Sequence, residues 1–170
     1  VKGLALASKV TSPAQLAESY GSWDGIRTNH VVSSTGSFFD NSGSSRGLST
    51  PEDLELLLEL RKRSDLVIVD ASTARKEGYR KLSSSHLAIV SSTGNFESIP
   101  AGTSVTGVTL FSPPARGIEK NLGPELVPIS PEDPFEAIER WSLSMGFTSL
   151  LLEAGPTLTK ICFESNRVVQ

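Results

Sequence analysis

A chain of 170 residues, 38% hydrophobic and 21% charged, has the composition of one globular domain long enough to bury a real core. Its formal net charge of −3, with acids and bases mixed along the chain, leaves no footprint for nucleic acid or an anionic membrane surface. No apolar run approaches the ~20 residues that cross a bilayer, residues 1–7 are too short for a signal h-region, and the expected location is cytoplasmic. The single cysteine, Cys162, excludes an internal disulfide, and His30 and His86 lie far apart with no metal-ligand spacing around them, so no zinc site is expected.

In chain order, Ser12-Pro13 reads as the N-cap and first position of a short helix through Ser19, within a lead-in segment 1–25. Residues 26–33 are β-branched and predict the first central strand, running into Ser34-Thr35-Gly36-Ser37. A polar loop over 36–49 is long for a compact domain and reads as a substrate-side loop. Thr50-Pro51-Glu52-Asp53 is a strong helix start, with Asp53 placed for a capping-box-like pair. The helix runs through Arg63, with Leu54, Leu57, Leu58 and Arg61 on one stripe that Leu56 and Leu60 widen. Arg61-Lys62-Arg63 reads as a cap on the negative end of its dipole.

Residues 65–70 form a continuous apolar run, the pattern of a strand buried on both faces, and lead into Asp70-Ala71-Ser72-Thr73-Ala74-Arg75. Further strands are predicted over 86–90, ending in Ser91-Ser92-Thr93-Gly94, over 104–112 and over 125–129. Ser130-Pro131-Glu132-Asp133 reads as the start of a helix with the core stripe Phe135, Ile138, Trp141 and Met145, ended by Gly146. The sixth strand, 147–152, stops at Glu153, crosses Gly155, and restarts at Pro156 as a helix over 157–165. That helix holds Cys162 as a buried small hydrophobe. Such a junction leaves the first N–H groups of the helix unpaired at the positive end of its dipole, where phosphate binds without side-chain charge. Residues 166–170 look like the start of another strand, so the chain is expected to continue.

Strands and helices alternate, which predicts a single α/β domain over 26–170: a mostly parallel central sheet with helices on both faces and its C-terminal strands missing. Ligands in such sheets bind at the carboxyl ends of strands. Three of those ends, 70–73, 91–94 and 153–157, carry the serine, threonine and glycine that could converge on one phosphorylated ligand. There is no Gly-x-Gly-x-x-Gly run and no P-loop, which disfavours a standard Rossmann or nucleoside-triphosphatase site.

Four blocks in this order resemble the reductase domain of bacterial riboflavin biosynthesis, whose fold is dihydrofolate-reductase-like. They are the strand and turn over 27–36, Gly47-Leu48-Ser49-Thr50-Pro51-Glu52-Asp53, the run Asp70 to Tyr79 (Asp-Ala-Ser-Thr-Ala-Arg-Lys-Glu-Gly-Tyr), and Leu152-Glu153-Ala154-Gly155-Pro156-Thr157-Leu158. The resemblance implies NADPH-dependent reduction of a phosphorylated ribosylaminopyrimidine, 5-amino-6-(5-phosphoribosylamino)uracil, to its ribitylamino product by a homodimer, with no metal. It implies Ser33 and Thr35 at the chemistry and Asn29, Gly36 and Ser49 at the substrate. At the cofactor it implies Ala71, Ser72, Thr73, Arg75, Ser91, Ser92, Glu153, Gly155, Pro156, Thr157 and Leu158. The chain departs from the family pattern where Thr35 stands for aspartate, Asp70 and Ser72 for glycines, and Ser92 for a common arginine, a phosphate partner that Arg75 or Lys76 would replace. Two alternatives stay open: a nucleotide-binding homologue without catalysis, and a related reductase with another substrate.

Overall fold

Side chains alternate across a strand, so a strand apolar at every position must be covered twice. The computed structural model, which describes residues 12–41, 45, 47–103, 106–114 and 123–168, bears this out. Its strands are β1 (Gly25–Thr28), β2 (Leu66–Asp70), β3 (His86–Val90), β4 (Val108–Ser112), β5 (Glu125–Pro128) and β6 (Ser149–Leu152). They form one parallel sheet in the order β1-β6-β2-β3-β4-β5. The helices are α1 (Pro13–Ser19), α2 (Pro51–Lys62), α3 (Ala71–Glu77), α4 (Pro134–Ser144) and α5 (Pro156–Glu164). Leu66, Ile68, Leu150 and Leu152 face one core with Phe135, Ile138, Leu158 and Cys162 of α4 and α5. Val67, Val69 and Leu151 face the other with Ala17, Leu60, Ala71 and Ala74 of α1, α2 and α3.

Several sequence expectations are corrected. The strand predicted over 26–33 as central is the four-residue β1 at the edge of the named strands, with Val168 making a single parallel bridge to Ile26. Of the rest of the expected run, Ser33 is taken up by a turn over 33–37: Gly36 N donates to Ser33 O at 2.9 Å and Ser33 N to Ser37 O at 2.9 Å, with Gly36 at φ +81°. α4 starts at Pro134 and not at Ser130, because a residue before proline is kept out of the α region and Asp133 sits at φ −142°. Of its expected stripe, Phe135, Ile138 and Trp141 are buried while Met145 is half exposed. β4 starts at Val108; residues 104 and 105 of the expected run lie outside the described residues.

In α2, Thr50 caps as expected, its Oγ1 accepting from Asp53 N at 3.2 Å, but the Asp53 carboxylate accepts from Ser49 Oγ at 2.6 Å. Its buried face runs through Leu60, with Leu56 packed beside it, while Leu54 and Leu58 are exposed. Five leucines between 54 and 60 surround most of a helix, and such a pattern selects no face.

The amino ends of the central strands are fastened by Asp65. Its Oδ2 accepts from Thr148 N, Ser149 N and Ser149 Oγ, each at 2.9 Å. Burial pushes this carboxyl up, but the donors outweigh burial and hold it below its ordinary value. A carboxyl depressed in the folded state contributes stability above its unfolded pKa of about 3.9, and that contribution fades as pH falls through the lower folded value. Asp65→Ala is expected to lower the unfolding free energy by about 1–3 kcal/mol at pH 7. The deficit should shrink at pH 2–3, as read from urea melts at both pH values.

Candidate functional site

β6 and β2 are neighbours, yet α5 leaves β6 toward one core and α3 leaves β2 toward the other. The two connections part at the carboxyl ends and open a crevice, the place where open α/β sheets bind ligands. A cavity of about 450 Å³ lies there, within the ~300–1,000 Å³ of small-molecule sites. Its apolar side is built from Val90, Ile129, Pro131, Pro134, Leu158 and Ile161, and its polar side from serine and threonine residues together with Asp70, Arg75, Lys76 and Asn95.

Of the eleven residues assigned above to a cofactor, Ala71, Ser72, Thr73, Arg75, Ser91, Ser92, Gly155, Pro156, Thr157 and Leu158 all line this cavity. α5 has no side-chain cap, so its first N–H groups face the crevice unspent. Arg75 is anchored at the rim, its Nε donating to Glu97 O at 2.9 Å and its Nη2 to Asn95 O at 3.2 Å. Ser91 Oγ is turned toward Thr93 Oγ1 and Asn95 O, each at 3.4 Å.

A second, smaller chamber of about 110 Å³ adjoins the first and shares Phe39, Thr73, Lys76 and Gly155 with it. Asn29 and Ser49 of the expected substrate side line it, together with Glu153 and His30. Lys76 Nζ lies 4.9 Å from the centre of the Phe39 ring, so the shared wall is a cation–π pair. His30 packs edge-on against Phe38, and burial lowers its pKa, leaving a neutral imidazole at pH 7. Ser33, Thr35 and Gly36 line neither chamber: Ser33 Oγ and Thr35 Oγ1 bond to each other at 2.9 Å within the turn over 33–37.

The residues missed by sequence reasoning are those that hold the floor. Arg61, read as a helix cap, turns inward and meets Glu153 with Nε at 2.8 Å and Nη2 at 2.5 Å. Tyr79 completes the triad, donating from its hydroxyl to Glu153 Oε2 at 2.6 Å and accepting from Arg61 Nη2 at 2.9 Å. Burial alone would work against the Arg61 charge, but the carboxylate beside it holds the guanidinium above its usual range. Burial, followed by the Glu153 charge, pushes Tyr79 upward. The one available signal was an arginine four residues after Leu57, on the helical stripe that faces the smaller chamber. The lining from Ile129, Pro131 and Ile161 was also missed, because it depends on which strands are neighbours. Among the described residues no group of three His, Cys, Asp or Glu could hold a metal ion, and no helix is long and apolar enough to cross a membrane.

No protein-family model matches the chain, and no curated protein matches it in sequence. In structure it is similar to a pyrimidine reductase-like protein from Corynebacterium diphtheriae, with TM-score 0.78, 18% identity, and coverage of 93% of this chain and 78% of that one. It is also similar to RibD from Acinetobacter baumannii, with TM-score 0.69, 18% identity, and coverage of 86% and 44%. A third likeness is to a diaminohydroxyphosphoribosylaminopyrimidine deaminase/5-amino-6-(5-phosphoribosylamino)uracil reductase from Thermotoga maritima, with TM-score 0.67, 17% identity, and coverage of 85% and 42%. The chain spans less than half the length of the latter two proteins. The likeness is one of fold: the parallel α/β architecture expected from the sequence is that of reductase-like proteins.

Removing one partner of a buried ion pair strands the other. The Glu153 side chain is 4% exposed, so Glu153→Ala is expected to destabilise by about 3–5 kcal/mol. Tyr79→Phe, which leaves the ion pair in place, should cost about 1 kcal/mol. Denaturant melts of the two variants beside the parent chain give both values.

Proposed function

We propose that this chain is a pyrimidine reductase that uses NADPH to reduce 5-amino-6-(5-phosphoribosylamino)uracil to the ribitylamino product, with residues 26–170 as its reductase-like domain. The observation that supports this reading is the gathering of ten of the eleven sequence-assigned cofactor residues around one crevice cavity. The proteins of similar fold agree with it.

The residues present fit a nicotinamide dinucleotide. Val90, Ile129, Pro131 and Ile161 offer an apolar surface for a flat ring, and the hydroxyls of Ser72, Ser91 and Thr157 offer partners for ribose and phosphate. The free N–H groups of Thr157 and Leu158 at the start of α5 supply positive potential without a side chain. Arg75, anchored on two carbonyls, brings the fixed cation expected beside a phosphate. When bound, the cofactor supplies the hydride that is added to C1 of the ring-opened ribose. The chain's share is placement: Phe39 and Lys76 divide the two chambers, and Asn29, Ser49 and His30 present polar atoms to the smaller one.

One observation favours the alternative of a nucleotide-binding homologue without catalysis. Ser33 and Thr35 spend their hydroxyls on each other and line neither chamber.

Fluorescence titration of NADPH separates the readings. Saturable binding below about 1 mM is expected, and absence of saturation at that level, on the scale of about 4 kcal/mol of binding free energy, would sink the proposal. With the aminouracil substrate added, consumption of NADPH supports the reductase, while binding without turnover supports the two alternatives, a related reductase with another substrate or a homologue without catalysis. A Cβ on Gly155 would sit 3.2 Å from both Asp70 Oδ2 and Thr73 Oγ1. Gly155→Val is therefore expected to weaken NADPH by about tenfold or more; an unchanged affinity would mean the turn is purely structural.

A further inference from the structure

The crevice already contains an anion of its own. Asp70 ends β2, and its carboxylate reaches across to β6's connection, where Oδ2 accepts from Gly155 N at 2.6 Å. The same group caps α3: Oδ1 accepts from Thr73 N at 2.9 Å and Oδ2 from Thr73 Oγ1 at 2.8 Å. A short bond from a backbone N–H to an ionised oxygen is the arrangement by which helix starts hold phosphate. Here three donors that line the cavity are spent on a side chain of the protein itself. Among the described residues no lysine or arginine forms an ion pair with Asp70, so its charge is held by N–H and O–H donors alone.

We infer that Asp70 is an internal occupant of the diphosphate position, which a phosphorylated ligand must displace or avoid, so that this residue sets how weakly the crevice binds polyanionic ligands. The inference rests on the reading of the cavity as a dinucleotide site. Two like charges a few ångströms apart at the edge of a protein repel strongly, and the Gly155 and Thr73 donors cannot serve both. A ligand that keeps Asp70 in place must shift its phosphates toward the free N–H groups of Thr157 and Leu158 and toward Arg75.

Asp70→Asn separates the roles, because an asparagine still caps α3 through its oxygen while losing the charge. Asp70→Ser is the second variant: serine also caps, but is too short to span to Gly155. Both variants and the parent chain are titrated with NADPH by fluorescence, and with adenosine, which lacks phosphate, by calorimetry; thermal melts of the unliganded proteins verify folding. Both substitutions are expected to tighten NADPH by about tenfold or more, to leave adenosine unchanged, and to lower the unliganded melting temperature by a few degrees. The gain for NADPH should shrink with added salt. If the parent chain saturates with NADPH and both folded variants bind it no more tightly, the inference is overturned while the cofactor reading stands. If parent and variants alike fail to saturate, the cofactor reading falls and takes the inference with it. Equal tightening of NADPH and adenosine would also overturn it, since the effect would then not be on the phosphates.

Discussion

Two neighbouring parallel strands that send their helices to opposite faces must part at their carboxyl ends, and the arrangement of the site follows from that parting. Where β2 and β6 diverge, backbone groups that would otherwise pair are left facing a gap. The protein closes part of the gap with side chains and leaves the rest as the crevice cavity. Asp70 reaches from β2 to the start of α5, and Glu153 reaches from β6 to Arg61 on α2. These two carboxylates flank Ala154, which is buried in the core, so the short segment 153–155 is fastened on both sides.

The two acids differ in what holds them. Glu153 is paired with a cation and a phenol in a buried triad. Taking such a pair out of water costs several kcal/mol per ion, which the mutual attraction only offsets. Its contribution is therefore position more than stability: it fixes α2, the segment after α3, and the end of β6 at one distance. Among the described residues no cation pairs with Asp70, which is held by donors that a ligand could use. One acid is locked as a scaffold, and the other is exchangeable in principle.

Much of this was legible because it is local. Continuous apolar runs such as Leu66–Asp70 announce two-sided burial, Thr50-Pro51 announces a helix start, and glycine followed by proline after β6 announces an uncapped helix. The convergence of 70–73, 91–94 and 153–157 was legible through the rule for carboxyl ends of strands. What local pattern could not supply was neighbourhood. That β1 would lie at the edge depends on where β6 inserts, after the chain has already built β2 to β5 in order. That Arg61 would turn inward depends on a carboxylate 92 residues away. The late start of α4 was decidable in advance, since proline at 134 forbids a helical Asp133, but the attractive Ser130-Pro131 signal competed with it.

Among the described residues, His30 and Tyr79 at the smaller chamber, Arg61 behind them and the core thiol of Cys162 are all moved away from proton exchange at neutral pH. Burial lowers His30, so its imidazole stays neutral. Burial and the neighbouring Glu139 charge push the Cys162 thiol up to about 11, which removes it as a nucleophile. Tyr79 is raised, and Arg61 is fixed in its charged form by Glu153. A site that performed general acid–base work would instead bring a group toward the working pH. The crevice itself offers backbone N–H groups, hydroxyls, an apolar wall and the charged side chains of Asp70, Arg75 and Lys76, a set suited to binding and orienting. On the proposed reductase reading a ligand would bring the reducing equivalent, and which anions the α5 start accepts, against competition from Asp70, would set how the crevice is filled.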